Sequence, residues 1–113
     1  MNDRLEGIQS RMTKDPVYNM KILLERLQTT GTVPEPNKYY VFVYNAKTPN
    51  IRYDQHPFVL SGSVFNWGFS GLNQHWGEPR FYTWGELMTP LYPITEDEVE
   101  IVNDLPIAYI RNS

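Results

Sequence analysis

The sequence predicts an α+β fold: an N-terminal helix, then a small, strongly bent antiparallel β-sheet or SH3-like barrel, and a short C-terminal helix. Three observations predict it. Apolar residues recur at helical spacing between residues 16 and 28, short apolar segments alternate with glycine-containing turns between residues 38 and 84, and a helix-capping signal follows at residues 95–98. The 113 residues are enough for one domain with one substantial core.

The first helix is predicted to begin at Asp15-Pro16, because aspartate accepts hydrogen bonds from the free N–H groups of a first helical turn and proline is tolerated there. The segment Thr29-Thr30-Gly31 ends the helix, and two prolines make residues 32–37 an extended linker. The apolar stripe of this helix consists of Val17, Met20, Leu23, Leu24 and Leu27.

This stripe needs a surface to cover it, since a helix this short is marginal alone in water. We predict that residues 1–37 form a helical arm with a proline linker, and that residues 38–113 form a small β-rich domain with an acidic C-terminal helix. The extended linker between the two favours packing of the helix, at least in part, on a neighbouring chain through Leu23, Leu24 and Leu27.

Aromatic and β-branched residues predict four strands in the middle of the chain, at residues 38–44, 58–65, 69–74 and 80–83. Gly62 interrupts the second strand and indicates a bulge or a sharp bend. Residues 107–110 are predicted to form a last strand that closes the sheet. Before it, Thr95 is followed three residues later by Glu98, which is a capping box for the C-terminal helix.

Aromatic residues are the unusual part of the composition, since 13 of the 16 lie between Tyr39 and Trp84. Residues 1–38 carry a net charge of +1, residues 39–95 are neutral and residues 96–113 carry −4. Exposed aromatic side chains can stack on nucleic-acid bases, but such sites also use a basic groove, which this neutral region lacks. The pattern favours core packing and protein-interface anchoring, with nucleic-acid binding as the alternative.

The chain has no cysteine, which excludes disulfides, a cysteine nucleophile and thiolate metal sites. It has no apolar run long enough to span a membrane, and the polar stretch from Met1 to Arg11 predicts no signal peptide. Neither a phosphate-binding glycine motif nor a Gly-x-Ser-x-Gly nucleophile motif is present.

Asp54 and His56 suit acid–base chemistry, because residues two apart on an extended backbone share a face. The favoured interpretation is structural, since the carboxylate of an Asp-x-x-Pro loop accepts backbone hydrogen bonds. His75, beside Trp76, is expected in the interior or at an interface. Two histidines without cysteine give no recognisable metal-ligand spacing. We therefore predict no catalytic residue, no cofactor and no metal site.

Trp67 and Trp76 each lie at a turn of the hairpin between Phe65 and Trp84. Turn positions are normally exposed, and an exposed tryptophan is uncommon unless another molecule covers it. We therefore predict that a partner buries at least one of the two. The predicted partner-binding residues are Leu23, Leu24, Leu27, Trp67 and Trp76.

Three linked segments resemble a known group of proteins: Tyr44-Asn45-Ala46-Lys47-Thr48-Pro49, Tyr53-Asp54 with Pro57-Phe58-Val59, and Trp67-Gly68-Phe69-Ser70-Gly71-Leu72-Asn73-Gln74-His75. The set resembles small virion-associated proteins of T4-like contractile-tailed phages of the cyanophage type. In those proteins an aromatic strand, a Lys-Thr loop, a Tyr-Asp-x-x-Pro segment and a Gly-Phe-x-Gly-Leu-Asn-x-His hairpin follow in this order. The resemblance covers residues 38–84, and the chain departs from it at Trp76, which stands in place of a tyrosine.

The resemblance implies a virion component and no particular reaction. It predicts a non-enzymatic structural protein of a tailed-phage particle, at the tail, baseplate or neck, that acts as a docking or adaptor subunit. We expect the protein in the virion, after assembly in the host cytoplasm, in several copies that contact other virion proteins and no membrane. The alternative is a nucleic-acid-binding module such as a protector of packaged DNA ends. A small hydrolase based on Asp54 and His56 is a third interpretation.

Overall fold

The computed structural model of the protein describes residues 3–45 and 52–112. Within these ranges the helices are α1 (Pro16–Glu25) and α2 (Val99–Asn103), and short 3-10 helices lie at Asp3–Leu5, Ile8–Arg11, Trp84–Glu86 and Glu96–Glu98. The strands are β1 (Tyr39–Val41), β2 (Arg52–Asp54), β3 (Phe58–Val64), β4 (Gly68–Asn73), β5 (Glu78–Thr83), β6 (Tyr92–Ile94) and β7 (Ile110–Asn112). The Lys-Thr loop at residues 46–50 lies outside the described residues.

Five strands form one antiparallel sheet in the order β5-β4-β3-β1-β6. The α+β class, the N-terminal helix and the short C-terminal helix are confirmed. Of the two predicted β-architectures, the antiparallel sheet is confirmed and the SH3-like barrel was wrong, because the sheet does not close in the described part of the chain. Its edge strands carry Pro79 and Pro93, which lack the N–H that a closing strand would need. The predicted closing strand was also wrong, since β7 pairs with β2 in a separate two-stranded ribbon.

The local signals for turns and caps are confirmed at three places. The pairing of β3 with β4 shifts in register between Ser61 and Val64, where Gly62 predicted an irregularity. The N-cap of α1 is Asp15, whose carboxylate accepts from the Val17 N–H at 3.0 Å. The Thr95–Glu98 capping box is present, and the Glu98 carboxylate accepts from the Thr95 N–H at 3.0 Å. Each of these signals depends on residues close together in the chain.

The buried face of α1 differs from the predicted stripe. Met20 and Leu23 are buried as expected, but Val17 is 51% exposed and the buried face instead includes Asn19 and Ile22. The observed buried face is therefore shifted by part of a helical turn from the predicted stripe. The reason is tertiary, because the buried amide of Asn19 hydrogen-bonds backbone groups of Thr13, which precedes the helix, and of Pro106, which follows α2.

One face of the sheet packs against the helical parts of the chain. Val41 and Phe58 on the sheet, Leu23 on α1 and Ile107 after α2 are fully buried in a single cluster. The N-terminal segment joins the same cluster through Leu5 and Ile8. The arm at 1–37 and the β-rich part at 38–113, which the sequence distinguishes, therefore share one hydrophobic core.

The opposite face carries an aromatic cluster, since neighbouring residues on a strand point to opposite sides of the sheet. Rings in this cluster meet edge to face, with centroids 5.3 Å apart for Phe42 and Tyr82 and 5.0 Å apart for Tyr44 and Tyr82. This arrangement is favourable for aromatic pairs. Many of the aromatic residues therefore lie in the core. The cluster consists of Tyr40, Phe42, Tyr44, Val59, Phe69, Tyr82 and Leu91.

An ion pair ties the N-terminal segment to the C-terminal helix. The guanidinium of Arg4 donates from Nε and Nη2 to the two carboxylate oxygens of Glu98, at 2.7 and 2.6 Å. The hydrogen bond from Arg4 is the main reason that the pKa of Glu98 lies below its usual value, although burial opposes it. The same carboxylate caps the 3-10 helix before α2, so the Glu98 side chain links the N-terminal segment to the C-terminal helical segment.

Candidate functional site

The structure separates the five residues that the sequence predicts to bind a partner. Leu23 and Leu27 are 0% and 7% exposed and lie in their own chain's core, so a partner could reach them only if α1 left the sheet. Leu24 is half-buried, and Trp67 is 48% exposed. Trp76 is half-buried and lies at the other end of the β4–β5 hairpin from Trp67. The structure therefore does not bring the two tryptophans together.

Trp67 belongs instead to a surface cluster with Phe65 and Phe81, which we call the aromatic patch. The rings of Phe65 and Trp67 are stacked, with centroids 4.9 Å apart and planes inclined by 5°. The Trp67 and Phe81 centroids are 5.8 Å apart. Phe65 and Phe81 are 39% and 59% exposed, so the three rings form a contiguous apolar surface in contact with solvent.

The β3–β4 turn and strand alternation together position the aromatic patch. The Phe65 N–H donates to the Gly68 carbonyl at 2.7 Å and closes the turn that carries Trp67. Phe81 and Tyr82 are adjacent on β5, so their rings must lie on opposite faces of the sheet. Tyr82 enters the aromatic core and Phe81 is directed outward.

Sequence reasoning missed Phe65 and Phe81 as surface residues. A signal was present, because two consecutive aromatic residues in a strand cannot both enter the same core. The sequence does not show which of the two faces of the sheet is covered by other residues. Val64 and Leu72, each 40% exposed, are further apolar side chains that sequence reasoning did not place at the surface.

Trp76 has a different environment. The Arg80 guanidinium carbon lies 4.4 Å from the centroid of its ring, which is a cation–π contact. Its turn is fixed by the buried Asn73, whose side-chain oxygen accepts from the His75 N–H at 2.9 Å and the Trp76 N–H at 3.2 Å. Arg80 also pairs with Glu78 at 3.0 Å. Trp76 is therefore packed within the hairpin.

A buried polar cluster lies at the junction of β2, the β4–β5 turn and the C-terminal segment. One oxygen of Asp54 pairs with Nδ1 of His75, and the other accepts from the N–H groups of His56 at 2.9 Å and Tyr109 at 3.0 Å. Burial would raise the pKa of Asp54, but the hydrogen bond and charge of His75 and the two backbone donors outweigh it and hold the pKa below its usual value.

The two imidazoles of this cluster differ. Nδ1 of His56 lies 2.8 Å from the Ile107 carbonyl, which can only accept, so this nitrogen carries the proton. Burial is the main reason that the pKa of His56 is lowered. Nδ1 of His75 likewise donates to Asp54, and its buried Nε2 has no hydrogen-bond partner among residues 3–45 and 52–112.

These contacts do not form the acid–base pair that the sequence suggested for Asp54 and His56. Asp54 contacts His56 through the backbone N–H and not through the imidazole, which is the structural role expected of an Asp-x-x-Pro loop. The histidine paired with the carboxylate is His75, 21 residues further along, and sequence spacing gives no sign of this pairing. Within the described part of the chain, no three His, Asp or Glu side chains gather into a group suited to a metal ion.

A cleft of about 470 Å³ lies between α1 and the sheet. Its size is in the range of small-ligand pockets. Leu24 contributes to its wall, and the nearly buried His56 lines it as well. The remaining lining residues are Val17, Met20, Lys21, Glu25, Val43 and Tyr92.

Comparison with protein-family models, with curated proteins and with solved structures gives no match to this chain. None of the described helices is both long and apolar enough to cross a membrane.

Proposed function

We propose that the protein is a non-enzymatic structural subunit of a tailed-phage particle, at the tail, baseplate or neck, and that it docks to another virion protein through the aromatic patch. The observation that carries this proposal is the exposure of three contiguous aromatic rings, Phe65, Trp67 and Phe81. Tryptophan is among the usual hot-spot residues of protein interfaces. The phage particle as the setting rests on the resemblance over residues 38–84.

The edge strands of the sheet favour a partner that binds to a face of the sheet and not to an edge. Pro79 in β5 and Pro93 in β6 lie in the two edge strands, where proline hinders the addition of another strand. The aromatic patch, by contrast, offers an apolar face next to β5. We therefore expect a partner with a complementary apolar surface, bound by side-chain packing and not by strand addition.

The contacts of Asp54 and His56 favour the structural interpretation of these two residues over an acid–base pair. Both oxygens of Asp54 are used in hydrogen bonds that hold the chain together, and the imidazole of His56 holds the Ile107 carbonyl. These contacts leave Asp54 no oxygen directed at a substrate.

Binding of single-stranded nucleic acid is the second candidate, because the stacked rings of Phe65 and Trp67 resemble a base-stacking platform. The charge argues against it. None of the three patch residues is charged, and the neighbouring cation on β5, Arg80, pairs with Glu78. Nucleic-acid sites rely on several cations that neutralise phosphates.

The test is the incorporation of Trp67→Ala into particles. Loss of an interface tryptophan typically costs about 2 kcal/mol or more of binding, with little effect on the fold. Mass spectrometry of purified particles should find the wild-type chain and strongly reduced amounts of the variant. Tyr18→Ala is the matched control, since Tyr18 is an aromatic residue of α1 that is 41% exposed outside the patch.

Three results would count against the proposal: absence of the wild-type chain from particles, equal incorporation of Trp67→Ala, or equal loss with Tyr18→Ala. Fluorescence gives an independent readout, because the emission of Trp67 should shift to the blue on assembly. Affinity for single-stranded DNA that falls steeply with rising salt would instead support the second candidate.

A further inference from the structure

The cleft between α1 and the sheet contains a polar group whose position is fixed, the imidazole of His56. This residue is only 4% exposed. Its Nδ1 donates to the Ile107 carbonyl at 2.8 Å, and its ring lies against that of Tyr109, with centroids 5.3 Å apart. These two contacts hold the imidazole in one orientation, so its second nitrogen, Nε2, also has a fixed direction.

Nε2 of His56 is a hydrogen-bond acceptor that the fold leaves unused. A neutral imidazole has one N–H and one lone pair, and here the N–H is on Nδ1. Nε2 has no hydrogen-bond partner in the described parts of the chain and, unlike Nε2 of His75, it is not fully buried. Because the ring lines the cleft of about 470 Å³, this acceptor is available to a molecule bound there. Burial lowers the pKa of His56, which keeps the ring neutral at neutral pH.

The walls around this acceptor are mainly apolar. Met20 and Leu24 of α1 contribute to them, together with Val43 and the ring of Tyr92 on β6. Pockets for small molecules have this composition, with apolar walls and a few precisely placed polar groups. Met20 and Tyr92 favour an aromatic ligand, because thioethers and aromatic rings both make favourable contacts with rings.

The charges at the cleft favour a neutral ligand. Its charged lining residues are Lys21 and Glu25, which lie one helical turn apart on α1, are both exposed and have opposite signs. A charged group on the ligand would leave water without gaining a buried partner of opposite charge, which is costly. A neutral hydroxyl loses less on leaving water, and Nε2 of His56 replaces its hydrogen bond.

We propose that this cleft is a binding site for a small neutral aromatic molecule with a hydroxyl group, of the phenol or aromatic-alcohol class, whose hydroxyl donates to Nε2 of His56. The site shares no residue with the aromatic patch and does not depend on the proposed role in a phage particle. A ligand bound there contacts both α1 and the sheet, so it stabilises the folded chain by mass action.

A matched pair of probes, 4-ethylphenol and 4-ethylanisole, tests the proposal in NMR titrations of the full chain at neutral pH. The two molecules have similar shapes, but the methyl ether has no O–H to donate. The phenol should bind with a Kd of about 1 mM or lower, as expected for a ligand of this size. The methyl ether should bind about tenfold more weakly, because it leaves Nε2 unpaired. Contacts between the phenol and the methyl groups of Leu24 and Val43 should locate the ligand.

Two variants separate the acceptor from the space around it. His56→Asn keeps an N–H donor near the Nδ1 position but has no acceptor in place of Nε2, so the preference for the phenol should disappear. Val17→Trp puts a large side chain at the wall of the cleft and should abolish binding of both probes; Val17 is 51% exposed, so the change does not overpack the core. Tyr18→Trp is the matched control, because Tyr18 is 41% exposed on the same helix outside the cleft, and it should bind as the wild type does.

Equal affinity of the wild-type chain for the two probes would overturn the proposal. So would a preference for the phenol that survives in His56→Asn, or binding that Val17→Trp leaves unchanged. Should His56→Asn not fold, the ¹⁵N resonance of Nε2 in the wild-type chain decides: it must move upfield when the phenol binds, and an unchanged position would reject the hydrogen bond.

Binding of neither probe would also overturn the proposal. Reduced incorporation of Val17→Trp into particles would in that case assign the cleft to a partner protein. The probe titrations need no particle, and Trp67→Ala does not alter the cleft. The two proposals can therefore fail independently of each other.

Discussion

The missing side chain of Gly68 decides how closely β4 and β5 approach beside the aromatic patch. A Cβ at this position would lie 1.9 Å from the Tyr82 carbonyl oxygen and 2.9 Å from Cα of Thr83. Both obstacles are backbone atoms, which cannot move aside as a flexible side chain would. Gly68 is therefore required for the hairpin itself, and its role is close approach and not an unusual backbone angle.

Gly68→Ala should destabilise the protein by about 3 kcal/mol or more, because the new methyl group forces the two strands apart. Gly85→Ala is the matched control, since its Cβ would meet no described atom within 4 Å. It should be neutral or slightly stabilising. Urea unfolding followed by circular dichroism measures both, and equal midpoints for the two variants would contradict this account of the hairpin.

Helix α1 is attached by a polar contact as well as by its apolar face. Asn19 is fully buried, accepts from the Thr13 N–H at 2.7 Å and donates to the carbonyls of Thr13 at 2.9 Å and Pro106 at 2.8 Å. One amide thus satisfies backbone groups before the helix and after α2. This explains why the buried face of α1 includes a polar residue that the apolar stripe did not predict.

Asn19→Ala should lower the free energy of unfolding by about 2–4 kcal/mol, because it leaves buried backbone groups at Thr13 and Pro106 without their partner. Lys21→Ala on the same helix serves as the control and should change stability by less than about 0.5 kcal/mol. Thermal unfolding of the two variants at one pH gives the comparison. A loss no larger than that of Lys21→Ala would show that the amide contributes little.

At the scale of the whole molecule, the described residues form two hydrophobic clusters, one on each face of the five-stranded sheet. The N-terminal 37 residues supply Leu5, Ile8, Met20 and Leu23 to one of them. Val41 of β1 and Phe58 of β3 are buried in the same cluster as these N-terminal side chains. The N-terminal part is therefore expected to be required for the sheet to fold.

Deletion of residues 1–30 should leave a chain that does not fold, because one face of the sheet loses its cover and large apolar area meets water. Dispersion of amide signals in a ¹H–¹⁵N NMR spectrum measures this directly. The control is deletion of residues 1 and 2 alone, which precede the first described helix. A well-dispersed spectrum for the longer deletion would support the separate arm that the sequence suggested.

Short-range features of this protein were predictable from its sequence. The start of α1 at Asp15-Pro16, the capping box at Thr95 and the irregularity at Gly62 were correct, as were the approximate positions of β3, β4 and β5. Each depends on hydrogen bonds or steric limits among residues a few positions apart, so the local sequence contains the whole cause.

Tertiary structure decided the features that join distant residues. The pairing of β7 with β2, the contact between Asp54 and His75, and the outward direction of Phe81 all depend on which surfaces meet after the chain has folded. Alternation along β5 requires that Phe81 and Tyr82 face opposite sides, but only the packed molecule shows which side is covered. Local sequence patterns therefore determined where these helices and strands form. Burial in the folded core selected which strands and side chains contact each other, because burial depends on all the packed surfaces at once.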